Sequence, residues 1–475
     1  MRTRLPRCLI LILWLSLGAR AAALEPSDLC TGNPCRVAQS FLVAEDVLLD
    51  FGPAVTLVLA PRVQALLAAD AHLTLRAGTI ELSQGSGAKA LGSRTGLRLE
   101  AASGDLRTVG RAAFRLRDAE LLDLSAATDA DLDVSIDVRS KGQGTRGGDV
   151  TLEAGGDLTL AGKVNASGDA SGADPASGGR LWIVARGGAL SSSATVYVRS
   201  NSGTGGEVEL HSSGPMTLGG KLDLSARREP GAGGDLRLVS EGDILISGTV
   251  RTRGRGETAP PSEAIANCGD GGDISISSRG RVALASRIDI RGGFNCAGGL
   301  VTVQAEQGVT QSAAATVDAL TAGAFGTGGR IEVYTTRSDI VIAGRIRLRA
   351  VRGGALLLQA AQGEITVEAG ADLGADSSGG PRADPGVVAM AADCGLRVEA
   401  GARIDVRSAD NAELDNRGIV ELSVEQSGSL VIDGSVRAAG AVRLWHVDSS
   451  APQLTGVIQP APEIEVRPAN PASCS

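Results

Sequence analysis

Acids and bases recur in this sequence two residues apart. Asp137 precedes Arg139, Asp289 precedes Arg291 and Asp405 precedes Arg407, with Asp223 and Asp318 at the same place in less regular copies. Residues two apart on a strand share a face, so each of these acids stands beside a base or in line with one. Two carboxylates on one face, with Arg or Lys nearby, are what polysaccharide cleavage needs: one protonates the departing oxygen and the other serves as base or nucleophile. These acids obey the repeat instead of breaking it, and they are read as a solvated, charge-balanced wall that adds little to stability. Glu257, Glu263 and Asp270 sit in the longest of the loops that follow such strands, Gly254 to Asp270. They are the candidate contact residues.

Other chemistries find little support. His72, His211 and His446 are the only histidines, and none lies in a His-Glu-x-x-His arrangement or beside a nucleophile. No Gly-x-Ser-x-Gly elbow or phosphate-binding loop is present. The segment Cys268-Gly269-Asp270-Gly271-Gly272-Asp273 matches part of a calcium-binding repeat once, whereas such ladders need tandem copies. No catalytic, cofactor or metal residue is expected. Trp182, Trp445, Tyr197, Tyr334 and five Phe are scattered along the chain beyond its first residues, a poor lining for a sugar cleft.

The elements that would position any site are short strands punctuated by glycine. The chain holds 65 Gly against 17 Pro and 2% aromatic residues, without the every-third-residue glycine of collagen. Gly-Gly pairs at 147, 178, 205, 233, 271, 298, 328 and 353 each open a unit of three strands. In one unit Val150 and Leu152, Leu158 and Leu160, and Val164 and Ala166 alternate with polar neighbours. The third strand repeats as Ile136-Asp-Val-Arg, Val196-Tyr-Val-Arg, Val250-Arg-Thr-Arg, Ile288-Asp-Ile-Arg, Ile346-Arg-Leu-Arg and Ile404-Asp-Val-Arg, with looser copies at Val164, Leu222 and Val317. Strands this short cannot bury an apolar face alone, so each coil needs its neighbours. About fourteen coils would make a rod of roughly 60 to 70 Å. A doubly wound α/β fold would need uninterrupted helical stretches, and a sandwich does not predict a fixed third-strand signature.

From Leu99 to Arg437 this pattern resembles the secreted right-handed parallel β-helix proteins of bacteria, the broad class with filamentous-haemagglutinin-like and pectate-lyase-like members. The resemblance implies an all-β, single-stranded, right-handed solenoid of three-strand coils with terminal caps. The strict six-residue repeats of a left-handed helix are absent.

The ends and the charge complete the expectation. Residues 1–23 read as a secretory signal, with Arg2, Arg4 and Arg7 before the apolar run Cys8 to Leu17 and small residues at Ala19 to Ala23. Residues 24–75 are expected to form a first cap with the first strands and a short helix over Val63 to Ala69, residues 76–440 the β-helix, and residues 441–475 a cap and Pro-rich tail. Without residues 1–23 and their four Arg, 42 basic side chains face 54 acidic ones, a net charge of -12. That disfavours nucleic acid and anionic lipid as partners. No later segment is apolar and long enough for a transmembrane helix.

Six cysteines follow residue 23. Cys268 and Cys296 fall at near-equivalent corners of successive coils and are expected to pair. By elimination Cys30 pairs with Cys35 and Cys394 with Cys474. The expected function is a structural or adhesin-like role at or outside the cell surface, with glycans, cell-surface or matrix components as partners. The alternative is a polysaccharide lyase or glycoside hydrolase.

Overall fold

Alternation makes the strands. In Asp149–Ala154 the side chains of Val150, Leu152 and Ala154 are buried and those between them are not, the pattern of a strand with one face on a core. Alone, such a strand leaves its N–H and C=O groups unpaired, so it holds only within a ladder. The computed structural model describes residues 24–140, 145–168, 176–201, 203–228, 230–256, 268–323, 325–377, 384–407, 418–426, 428–447 and 451–467. In it Asp149–Ala154 pairs in parallel with Leu121–Ala126 on one side and Arg180–Ala185 on the other.

The same relation repeats through the molecule. The strands form one sheet of sixteen and one of thirty among the described residues, and helix is limited there to the single turn Pro26–Leu29. This is a parallel, solenoid-like β fold. No helix among the described residues is long and apolar enough to cross a membrane. Register carries each side chain onto its counterpart: Val150, Leu181, Val208, Leu236, Ile274 and Val301 follow one another on consecutive rungs, all buried. Each such aliphatic side chain contributes about 1.5–3 kcal/mol by leaving water. Sixteen rungs at strand spacing span about 70 Å.

Ladders run from Cys35–Val37 to Glu463–Arg467, so strands also occupy both terminal segments in which caps are expected. The helix expected over Val63 to Ala69 is instead the strand Gln64–Leu67, paired with Phe41–Val43 and Gly87–Ala90. Ala65 and Leu67 point inward, and partners on both sides override the modest helix preference of Ala and Leu.

The Gly-Gly pairs do something other than turn. None of their members has a positive φ. The second glycines, from Gly148 through Gly179, Gly206, Gly234, Gly272, Gly299, Gly329 and Gly354, stack in line, and Gly386 continues the line. A Cβ added at Gly206 would run into the carbonyl oxygen of Gly179, one at Gly234 into that of Gly206, and one at Gly272 into that of Gly234. The corner needs glycine because backbone lies directly on backbone. Gly234→Ala is therefore expected to lower the unfolding free energy by about 3 kcal/mol. Gly370, with φ +86° and nothing near its absent Cβ, should lose only about 1 kcal/mol as Gly370→Ala. Urea titration compares the two, and equal losses would show that stacking is not the constraint at the corner.

Candidate functional site

The outward column of acids is real, but its acids are not solvated. Register places Asp137, Asn165, Tyr197, Asp223, Arg251, Asp289, Asp318, Arg347, Gly374 and Asp405 on consecutive rungs. Asp223, Asp289, Asp318 and Asp405 are buried, which corrects the expectation of a solvated wall. The reason is the flanking bases, whose guanidinium groups close over the acids and bond to them directly. Asp289 sits among Arg253, Arg287 at 3.2 Å and Arg291 at 2.9 Å. Asp318 is held by Arg287 at 2.6 Å and Arg347 at 2.8 Å. Tyr197 joins the wall as a ring surrounded by Lys163, Arg199 and Lys221.

The loop edge gives less than its spacing promises. Glu257, Glu263 and Cys474 lie outside the described residues. Asp270 is exposed, and its carboxylate accepts a hydrogen bond from the Ala297 N–H of the next coil at 2.7 Å, a bracing role. Cys268 is joined to Cys296, Cα to Cα 5.3 Å, and Cys30 to Cys35, 5.4 Å. Cys394 is disulfide-bonded. Cys268, Asp270 and Cys296 also lie close enough to hold a metal ion, but with the two sulfurs bonded to each other no thiolate is left to ligate one. Of the histidines, His72 meets Asp46 and His211 meets Glu209, while His446 is buried against its neighbour's carbonyl.

The site that sequence reading missed is on the outward face of the sixteen-stranded sheet. One column there runs Val239, Ser277, Gln304, Tyr334, Gln359, Ala391, Ser423, Trp445. Beside it runs Thr302, Glu332, Leu357, Ala389, Glu421, Arg443. Tyr334 and Trp445 thus stand four rungs apart on one line, about 19 Å. The short side chains between them leave a groove of about 590 Å³ that includes Leu357, Ala389 and Ala391 in its floor. A second groove of about 460 Å³ continues past Tyr334 along Gln304 and Ser277 to Val239. Trp445 is fixed by its N–H bond to Glu465 at 2.8 Å and by the Arg467 guanidinium 4.9 Å from its ring. The signal was there in principle, because both aromatics occupy the same outward position of their strands. It becomes visible only once register is known.

This arrangement can stack the apolar faces of flat rings and hydrogen-bond to hydroxyls through Gln304, Gln359 and Ser277. It is poorly set for acid–base cleavage. Glu332 pairs with Arg330 and Glu421 with Arg443, and three rungs, about 14 Å, separate the two glutamates. Glycosidase carboxylates stand roughly 5–9.5 Å apart. No protein-family profile, no curated protein and no solved structure matches the chain.

The wall carries a pH signature. Burial pushes the Asp223 carboxyl up, but hydrogen bonding and attraction from Arg199, then Lys221 and Ser225, outweigh it and hold the pKa at about 2. A carboxyl lowered on folding stabilises the native state above its unfolded value near 3.9, and that contribution disappears as pH falls toward 2. Asp223→Asn should therefore cost more stability at pH 6 than at pH 2.5, where part of the contribution has already been lost. Denaturant midpoints at the two pH values check this, and a pH-independent difference would refute it.

Proposed function

We propose that this chain is a secreted, right-handed parallel β-helix of three-strand coils that holds an extended glycan along its sixteen-stranded face without cleaving it. The role is adhesin-like or structural, at a cell surface or in a matrix. One observation carries the reading: Tyr334 and Trp445 bound a groove on a single outward column, with amide, hydroxyl and methyl side chains between them. The groove follows the stacking direction, so its floor repeats at the rung spacing and suits a repeating polymer. A surface built on ladders is already ordered, and binding costs little further entropy. Of the three glutamates that line the groove, Glu332, Glu421 and Glu425, the first two are paired with arginine and too far apart to share one bond, which supports holding over cutting.

A polysaccharide-cleaving enzyme is the second reading, and it draws on a different place. Glu207 and Asp235 occupy consecutive rungs, and Asp273 follows on the next, at about 5 Å per step, close to the spacing of a retaining pair. Burial pushes the Asp235 carboxyl above its ordinary range, against a backbone hydrogen bond from Asp273, and the charges of Asp273 and Glu207 add to the rise. Isothermal titration against neutral oligosaccharides, with the recovered sugar weighed by mass spectrometry, separates the readings. Holding predicts binding with intact sugar, and a loss of about tenfold, near 1.4 kcal/mol, for Tyr334→Ala and again for Trp445→Ala. Shortened sugar that stays intact with Asp235→Asn would establish the enzyme instead.

A further inference from the structure

Arginines that cover the acid wall recur two residues past it, and in the run from Arg253 to Arg349 one position interrupts them. Two residues past Arg251, Asp289, Asp318 and Arg347, which stand in register, come Arg253, Arg291, Leu320 and Arg349. Where a guanidinium would continue the line, Leu320 is shorter and apolar. A cleft of about 700 Å³ opens there, with Arg253, Arg255, Arg291 and Arg349 in its lining. Arg291 and Arg349 are two rungs apart, about 10 Å, and Leu320, Thr321 and glycine backbone lie between them. The ring of Phe294, 37% exposed, forms part of the wall.

Among the described residues, charge in this cleft is unbalanced, and no carboxylate among them lines it. Arg253 and Arg291 share the single buried Asp289, which also carries Arg287. Arg349 rests on Asp376 at 3.3 Å. Arg255 is exposed and has no ion-pair partner among the described residues. Arg253 also keeps a buried Nε–H without an acceptor. Guanidinium forks fit the planar or tetrahedral oxygens of carboxylate and sulfate, and an exposed ring beside them offers an apolar face.

We infer that this cleft is a binding site for an oxyanion carried on a sugar ring: a uronic acid or a sulfated sugar. The anion meets Arg255 and Arg349 with Arg291 behind them, and the ring lies toward Phe294. The site is separate from the sheet-face groove and does not depend on it.

The test titrates the full processed chain calorimetrically with a uronic-acid trisaccharide, a sulfated disaccharide, inorganic sulfate and a neutral trisaccharide. At least one acidic sugar should bind, more weakly as salt rises, and the neutral sugar should show no binding that depends on these arginines. Arg255→Gln should weaken the acidic sugar tenfold or more, and Arg349→Gln likewise. Leu320→Arg restores the column and fills the cleft, so it should abolish binding although it adds a positive charge. Circular dichroism confirms that each variant is folded. Unchanged affinity in Arg255→Gln, or a gain with Leu320→Arg, would reduce the effect to diffuse charge attraction and overturn the site. Inorganic sulfate binding as tightly as the sugars would remove the ring from the proposal. Tyr334→Ala tells the two surfaces apart: it should leave acidic-sugar binding intact, and a loss would move that binding to the sheet face and overturn the cleft.

Discussion

Backbone stacked on backbone at the glycine corners is the constraint from which the rest of the molecule follows. At the corners the N–H of the second glycine bonds back to a carbonyl just past the third strand, as Gly206 does to Val198 at 2.7 Å, and at several of them the next residue bonds to the glycine of the preceding rung, as Glu207 does to Gly179 at 3.0 Å. A side chain there would push the rungs apart and forfeit both bonds. With the corner closed, successive strands have no freedom to slip, and a one-residue slip would turn every aliphatic core residue toward water. Register is thus fixed twice, by the corner and by the core.

Fixed register turns a sequence into columns. A residue type that recurs at one outward position becomes a line of like side chains at rung spacing, and a line of carboxylates alone would repel itself. The acid column avoids this by alternation: Arg251 stands between Asp223 and Asp289, and Arg347 follows Asp318. Where two acids do meet, at Asp289 and Asp318, Arg287 bridges them. Burying these carboxylates costs solvation, and removing one would strand several guanidinium groups without their shared anion. The wall therefore favours the one register in which every acid meets its bases, a gain in specificity more than in net stability.

Much of this architecture was legible. Val150, Leu152, Leu158, Leu160, Val164 and Ala166, read as inward from their alternation, are all buried, and the Gly-Gly pairs mark the corners. Their physical reason was not legible, because composition cannot distinguish a glycine that turns from one on which a neighbouring backbone rests. The burial of the acids was hidden for a similar reason: an Asp two residues from an Arg reads as exposed until the arms of the next rungs are known to close over it. Val63 to Ala69 misled because local preference was weighed without its ladder partners. Tyr334 and Trp445 looked scattered because coil lengths vary, the step from Arg253 to Arg291 being longer than that from Arg291 to Leu320. Equivalent positions therefore drift apart in a linear count.

In a solenoid the repeat is the background, and function belongs to its exceptions. A column of identical side chains presents the same chemistry at every rung, so a ligand bound there could slide from one rung to the next at no cost. Placement needs a break. On the sheet face the break is bulk, with Tyr334 and Trp445 rising from a line of short side chains, and it limits where a chain can lie. At the loop corner the break is an omission, with Leu320 opening a gap among arginines that keep their charge. The first break selects for shape and apolar ring faces, the second for charge. They stand on different surfaces of one stiff scaffold, so a polymer that engaged both would pay the entropy of ordering only once.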